Sequence, residues 1–156
     1  MNNVPQSMTI VIVDDDHGHC ELVMRNLRRT GVSNAFVIIH RGDEALDYVH
    51  RRGAYADRPA HGDFLLLLDI NMPGGLSGLD VLREIKSAEA TKQIPVIMLT
   101  TTDDPREINT CYDLGCSVYI TKPIDPGKFI EAVTRLGLFL SVIRLPSENM
   151  TVLTSG

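Results

Sequence analysis

The sequence predicts an α/β fold: a doubly wound, five-stranded parallel sheet with helices on both faces. Five short apolar runs recur along the 156 residues, each followed by a segment whose apolar residues fall at helical spacing. Strict alternation of this kind belongs to parallel strands joined by right-handed crossover helices. The longest runs are continuously apolar rather than alternating, as strands covered on both faces are. Between the segments lie Gly, Pro, Asn and Asp, the residues that punctuate chain direction.

The first run, Thr9-Ile10-Val11-Ile12-Val13, is β-branched and stops at Asp14-Asp15-Asp16. From His17 to Arg29 the residues Cys20, Val23, Met24 and Leu27 mark one face of a helix, which Thr30-Gly31 stops. Ala35 to Ile39 is the second strand, and Gly42 to Arg52 the second helix, with Ala45, Leu46 and Val49 inward. The polar, punctuated stretch Gly53 to Asp63 is expected to be a surface loop. Phe64-Leu65-Leu66-Leu67-Leu68 then forms the central strand and delivers Asp69, followed by Ile70-Asn71-Met72-Pro73-Gly74. After a Gly-rich turn, a helix from about Leu79 to Ser87 buries Val81, Leu82 and Ile85. Pro95 to Leu99 is the fourth strand, ending in Thr100-Thr101-Thr102, and Pro105 sits where proline opens a helix, here one running to Leu114 and closed by Gly115. Val118-Tyr119-Ile120 is the fifth strand, ending at Thr121-Lys122-Pro123; the last helix starts near Pro126-Gly127 and carries Phe129, Ile130, Val133 and Leu136.

Composition narrows the function. A net charge of −5 without a Lys/Arg block disfavours nucleic acid, since neutralising phosphates needs clustered cations. The three cysteines, Cys20, Cys111 and Cys116, form no CxxC pair and have no metal-ligand spacing with the five histidines, which suits buried thiols in a reducing compartment. The central apolar run is too short to span a membrane, and residues 1–7 lack the charged start and apolar core of a signal peptide, so a cytoplasmic location and no membrane partner are expected.

In open parallel sheets, ligands bind outside the carboxyl ends of the strands. The residues that close the strands there are Asp14 and Asp15, Asp69, Thr100 and Lys122. Asp69 on its own stretch reads equally as a turn-capping residue; the company it keeps favours chemistry. Three carboxylates attract a hard cation such as Mg²⁺, which takes oxygen ligands and keeps water beside a phosphate. A hydroxyl and an ammonium opposite them suit the oxygens of a phosphoryl group on Asp69, formed by carboxylate attack on phosphorus. His17 and His19 flank the acids, but they open a helix and such a metal prefers oxygen; Asp16 reads as a helix cap, and Met72 as turn packing.

Over about residues 8–140 the chain resembles the receiver domain of two-component response regulators of the chemotaxis-regulator type. The matching residues are Val13-Asp14-Asp15, Leu68-Asp69-Ile70-Asn71-Met72-Pro73-Gly74, Leu99-Thr100-Thr101 and Thr121-Lys122-Pro123, in that order. The resemblance implies a flavodoxin-like (βα)5 fold and makes Asp69 the phosphoacceptor. It makes Asp15 a direct Mg²⁺ ligand, Asp14 a ligand through water, and the backbone carbonyl of Asn71 a further one. Thr100 becomes the switch hydroxyl, Tyr119 the aromatic whose rotamer follows it, and the Lys122-Pro123 bond is expected to be cis. Thr102 falls where the family varies side chains that affect hydrolysis of the phosphoryl group. The polar insert before the third strand and Leu99-Thr100-Thr101 resemble stand-alone regulators that serve phytochrome histidine kinases.

The expected organisation is a disordered segment over 1–7, a receiver domain over 8–145 and a tail over 146–156. The function implied is a single-domain regulator that accepts a phosphoryl group from a histidine kinase, with a bacteriophytochrome as the kinase to test. It is not an enzyme beyond self-phosphorylation from small phosphodonors and self-dephosphorylation. With Leu138, Phe139, Val142 and Ile143 too many for a narrow inward stripe, signalling is expected through association, as a homodimer built on the last helix and tail. Competing readings are a phosphorylation-independent binding module, a phosphohydrolase and a nucleotide binder. Phosphohydrolases with an aspartate nucleophile carry a general acid two residues on, where this chain has Asn71. Asp14-Asp15-Asp16 would repel the pyrophosphate of a dinucleotide or flavin cofactor.

Overall fold

The computed structural model describes residues 9–29, 32–59, 64–101 and 104–121. The elements are β1 Thr9–Val13, α1 His17–Arg29, β2 Phe36–Ile39, α2 Gly42–His50, a 3₁₀ turn Gly53–Tyr55, β3 Phe64–Leu68, α3 Gly78–Ser87, β4 Val96–Thr100, α4 Pro105–Leu114 and β5 Val118–Thr121. The five strands form one parallel sheet in the order β2-β1-β3-β4-β5. Order reverses beside β1, the switch point at which open α/β sheets bind ligands. The expected last helix lies outside the described residues.

Side-chain alternation along each strand separates two apolar layers. Val11 and Val13, Leu66 and Leu68, and Val96 and Met98 face one side, where α2, α3 and α4 supply Ala45, Leu46, Val81, Leu82, Ile85 and Cys111. Ile10, Ile12, Leu65, Leu67, Ile97 and Leu99 face the other, packed by Cys20, Val23 and Leu27 of α1. All five residues of β3 are buried, as its unbroken apolar run demands.

The strand and helix limits shift by small amounts for local reasons. β4 begins after Pro95, whose ring nitrogen cannot donate but whose carbonyl accepts from Leu66 N–H (3.0 Å), and it extends to Thr100, which pairs with Thr121. Helix α2 stops at His50 rather than Arg52, because Arg51 turns left-handed (φ 56°) and its N–H closes on Tyr48 O. The segment after it is more than a surface loop. Arg58 folds back so that Nε donates to Tyr48 O (2.9 Å) and Nη2 to Val49 O (3.2 Å), the terminal carbonyls of α2. Its guanidinium lies 4.8 Å from the Tyr48 ring centre and 4.9 Å from that of Phe64. A polar insert is thereby fastened to the start of the central strand.

Candidate functional site

The site is assembled by backbone register. Val13 stands opposite Leu68, so the residues that follow, Asp14 and Asp69, leave the sheet side by side. Asp69 N–H donates to Val13 O (3.0 Å) and Asp14 N–H to Ile39 O (3.0 Å), which keeps both backbones in the ladder. Asp14, Asp15 and Asp69 each bring a carboxylate oxygen within 4.8 Å of the others. Asp14 and Asp69 are buried, at 5% and 8% exposure, whereas Asp15 is open to solvent. Like charges about 5 Å apart repel by ~3 kcal/mol at an effective dielectric near 20, and less at the exposed member. An all-oxygen donor set of this charge fits a hard divalent cation, which removes that repulsion.

Local turns aim these groups. Asp16 caps α1, its Oδ1 accepting from His19 N–H (3.0 Å), while Asp14 Oδ1 accepts from Asp16 N–H (2.9 Å). One of the three consecutive acids therefore serves the helix and two serve the site. On the other side, Asn71 N–H lies 3.4 Å from Asp69 Oδ1. The β3–α3 turn is held by Gly78, whose N–H donates to Ile70 O (2.9 Å) and where an added Cβ would come within 2.0 Å of Asp69 O. A side chain at 78 would displace the peptide that carries Asp69.

Thr100 closes β4 fully buried, level with Thr121. Tyr119 is half-buried on β5 against the helix α2–α4 layer, and its N–H donates to Tyr112 Oη (3.1 Å). Lys122, Pro123 and Thr102 lie outside the described residues, so the ammonium and the expected cis bond are not placed. Met72 is buried in the core beneath the turn, as turn packing requires.

A second tier of contacts lies behind the acids, and it joins residues that no local sequence pattern connects. His40 Nδ1 lies 2.8 Å from the carbonyl oxygen of Asp14; since a carbonyl only accepts, Nδ1 carries the proton. Cys20 Sγ reaches the same oxygen at 3.4 Å, and the His17 ring stacks on His40 at 3.6 Å between centres. His19 Nδ1 approaches Asp16 Oδ2 (3.6 Å) and Asp14 Oδ2 (4.0 Å). These groups brace the Asp14 peptide from behind. The signal was positional: Val13 pairs with Ile39, so the residue after β2 must arrive beside Asp14.

Comparison with known proteins decides the family. The model for "Response regulator receiver domain" matches residues 10–134, most of the chain. The chain belongs to the response regulator receiver family. It is similar to response regulator Rcp1 of Synechocystis, 30% identical over 139 residues that make up 88% of this chain and 92% of that protein. The Mn²⁺-bound Rcp1 structure superposes with a TM-score of 0.81 at 28% identity, covering 89% of this chain and 99% of that one. A receiver domain from Rhodospirillum rubrum is 42% identical, with a TM-score of 0.79 over 89% of this chain and 97% of that one. The phosphorylated cyanobacterial phytochrome response regulator RcpA is 35% identical, with a TM-score of 0.80 over 89% and 98%.

As a receiver, the protein works in phosphorylation signalling rather than as a metabolic catalyst. Receiver domains bind Mg²⁺ or Mn²⁺ at an acidic pocket and interact with histidine kinases, and this chain brings Asp14, Asp15 and Asp69 together in an acidic cluster. Among the described residues no helix is long and apolar enough to cross a membrane.

Proposed function

We propose that Asp69 accepts a phosphoryl group from a histidine kinase in a Mg²⁺-dependent reaction, and that the phosphorylated chain signals by protein association. The carrying observation is the burial of Asp69 at the carboxyl edge of the central strand, with two further carboxylates within 4.8 Å. One Asp69 oxygen forms the new bond to phosphorus as the bond from phosphorus to the donor's histidine nitrogen breaks. Asp15 and Asp69 would hold Mg²⁺ directly, Asp14 through water, with the Asn71 carbonyl as a further ligand. Bound there, the cation supplies neutralisation of charge on the transferred oxygens.

The chain's own residues do the rest. Asp14 is fixed by its turn and by His40, so the acidic pair keeps its spacing while charge arrives. Asn71 N–H steadies Asp69 Oδ1 from the turn side. Lys122 pairs with the phosphoryl oxygens, Thr100 donates its hydroxyl to them, and Tyr119 follows Thr100 as the switch. Small phosphodonors replace the kinase in self-phosphorylation, and in self-dephosphorylation water takes the phosphoryl group from Asp69, releasing inorganic phosphate and the free carboxylate. The kinase proposed is a bacteriophytochrome, supported by the likeness to RcpA. The domain is assigned to residues 8–145, with terminal segments 1–7 and 146–156, in the cytoplasm. The homodimer is assigned to the last helix and tail.

The test is intact mass after incubation with acetyl phosphate and Mg²⁺. One added phosphoryl group is expected for the native chain, and none for Asp69→Asn or without metal. Equal uptake by Asp69→Asn would remove Asp69 from the role.

A further inference from the structure

The end of α4 closes in a turn of defined geometry. Gly115 is left-handed (φ 108°), its N–H bonds to Tyr112 O (3.0 Å), and the N–H of Cys116 bonds to Cys111 O (3.0 Å). These are the two hydrogen bonds of a Schellman closure, whose first and last residues characteristically bring their side chains together. Here both of those positions are cysteine. The Cys116–Cys111 hydrogen bond limits their Cα atoms to roughly 7 Å, about the upper end of what a disulfide spans. Both thiols are buried, at 0% and 7% exposure, and belong to one apolar cluster. Cys20 belongs to the cluster on the opposite face of the sheet, which separates it from them.

Lys86 of α3 completes the arrangement. Its methylenes run beneath Gly115, where an added Cβ would stand 3.4 Å from Cδ. Its Nζ donates to the carbonyls of Lys92 and Ile94, which hold the ammonium in place. Burial holds the Cys116 thiol above its ordinary value, and the fixed Lys86 charge offsets part of that rise.

We propose that Cys111 and Cys116 form a redox modification site that closes as an intramolecular disulfide, with a peroxide or a small disulfide as oxidant. With hydrogen peroxide, the Cys116 thiolate takes one oxygen as the O–O bond breaks, giving a sulfenic acid and, after protonation, one water. Cys111 sulfur then attacks Cys116 sulfur; the S–S bond forms, the S–O bond breaks, and a second water leaves. Two thiols lose two protons and two electrons, and the peroxide gains them. The link ties the last turn of α4 to the segment entering β5, the strand whose Tyr119 N–H is already held by Tyr112. The site is independent of which aspartate takes the phosphoryl group.

The test equilibrates the full chain in anaerobic glutathione buffers, folded and in urea, with acid quenching, alkylation, intact mass and peptide mapping. A Cys111–Cys116 link is expected, with Cys20 alkylated and an equilibrium constant at least roughly tenfold higher in the folded chain. Cys20→Ala should retain the link; Cys111→Ala and Cys116→Ala should each lose it. A folded-state constant equal to or below the urea value, a link through Cys20, or glutathione adducts alone would overturn the proposal. The folded-versus-urea comparison uses the native chain, so it stands even where a variant misfolds.

Discussion

Gly78 is the residue on which the site's precision most visibly depends. A methyl group there would overlap the Asp69 carbonyl oxygen at 2.0 Å, and the obstacle is backbone that cannot rotate away. Gly78→Ala is expected to lower stability by about 2–3 kcal/mol in urea titration, and to slow phosphoryl uptake from acetyl phosphate because the Asp69 peptide is pushed off its ladder. Full stability in the variant would show that the turn relaxes at no cost. The carboxylates themselves were legible in the sequence, since each ends an apolar run and the runs could only be parallel strands. His40 was not legible in the same way. A lone histidine carries no periodicity, and its contact with Asp14 exists because strands β1 and β2 lie in one particular register.

At the scale of elements, the insert before β3 teaches the same lesson more sharply. Gly, Pro and charge in residues 53–63 look like solvent-facing loop by every local criterion. Arg58 nevertheless packs between Tyr48 and Phe64 and closes the end of α2, because a guanidinium can stack on rings while its N–H groups serve carbonyls. Arg58→Ala is expected to cost about 1–2 kcal/mol, with Arg58→Lys recovering little because lysine lacks the planar fork; equal unfolding midpoints for all three chains would refute this.

The α4–β5 corner gives a pH signature. Burial pushes the Cys111 thiol up from its ordinary value of 9.0 to about 11, with Cys116 and Glu107 adding to the effect. The folded chain therefore keeps a proton that the unfolded chain has lost, so this contribution is complete below pH 9.0 and disappears as pH rises through about 11. Burial of Lys86 lowers its pKa and acts with the opposite sign, stability rising with pH, so the comparison must be differential. Cys111→Ala is expected to lose stability less steeply than the native chain over that window, by roughly 2 kcal/mol in total. Parallel stability curves would assign the alkaline limb to other groups.

For the whole molecule, the crowding of three carboxylates links folding to cation supply. Anything that binds the native state alone stabilises it in proportion to its saturation. Millimolar Mg²⁺ is expected to raise the native chain's melting temperature by several degrees, and Asp14→Asn or Asp69→Asn to shrink that increment while raising the metal-free baseline through relief of repulsion. An identical Mg²⁺ response in all three would place the cation elsewhere. The overall architecture was the most legible level of all: alternation fixed a parallel sheet, and burial of both faces fixed which runs were central.

The central strand keeps two kinds of business apart. Arg58 grips its first residue, Phe64, whereas Asp69 follows its last, Leu68. Five residues of extended chain put those ends about 17 Å from each other, with a packed, inert rod between them. The insert can therefore change length and charge without the change reaching the acids. In such an arrangement the insert and the acidic edge are free to drift independently, and one end of the scaffold can be rebuilt while the other stays the same.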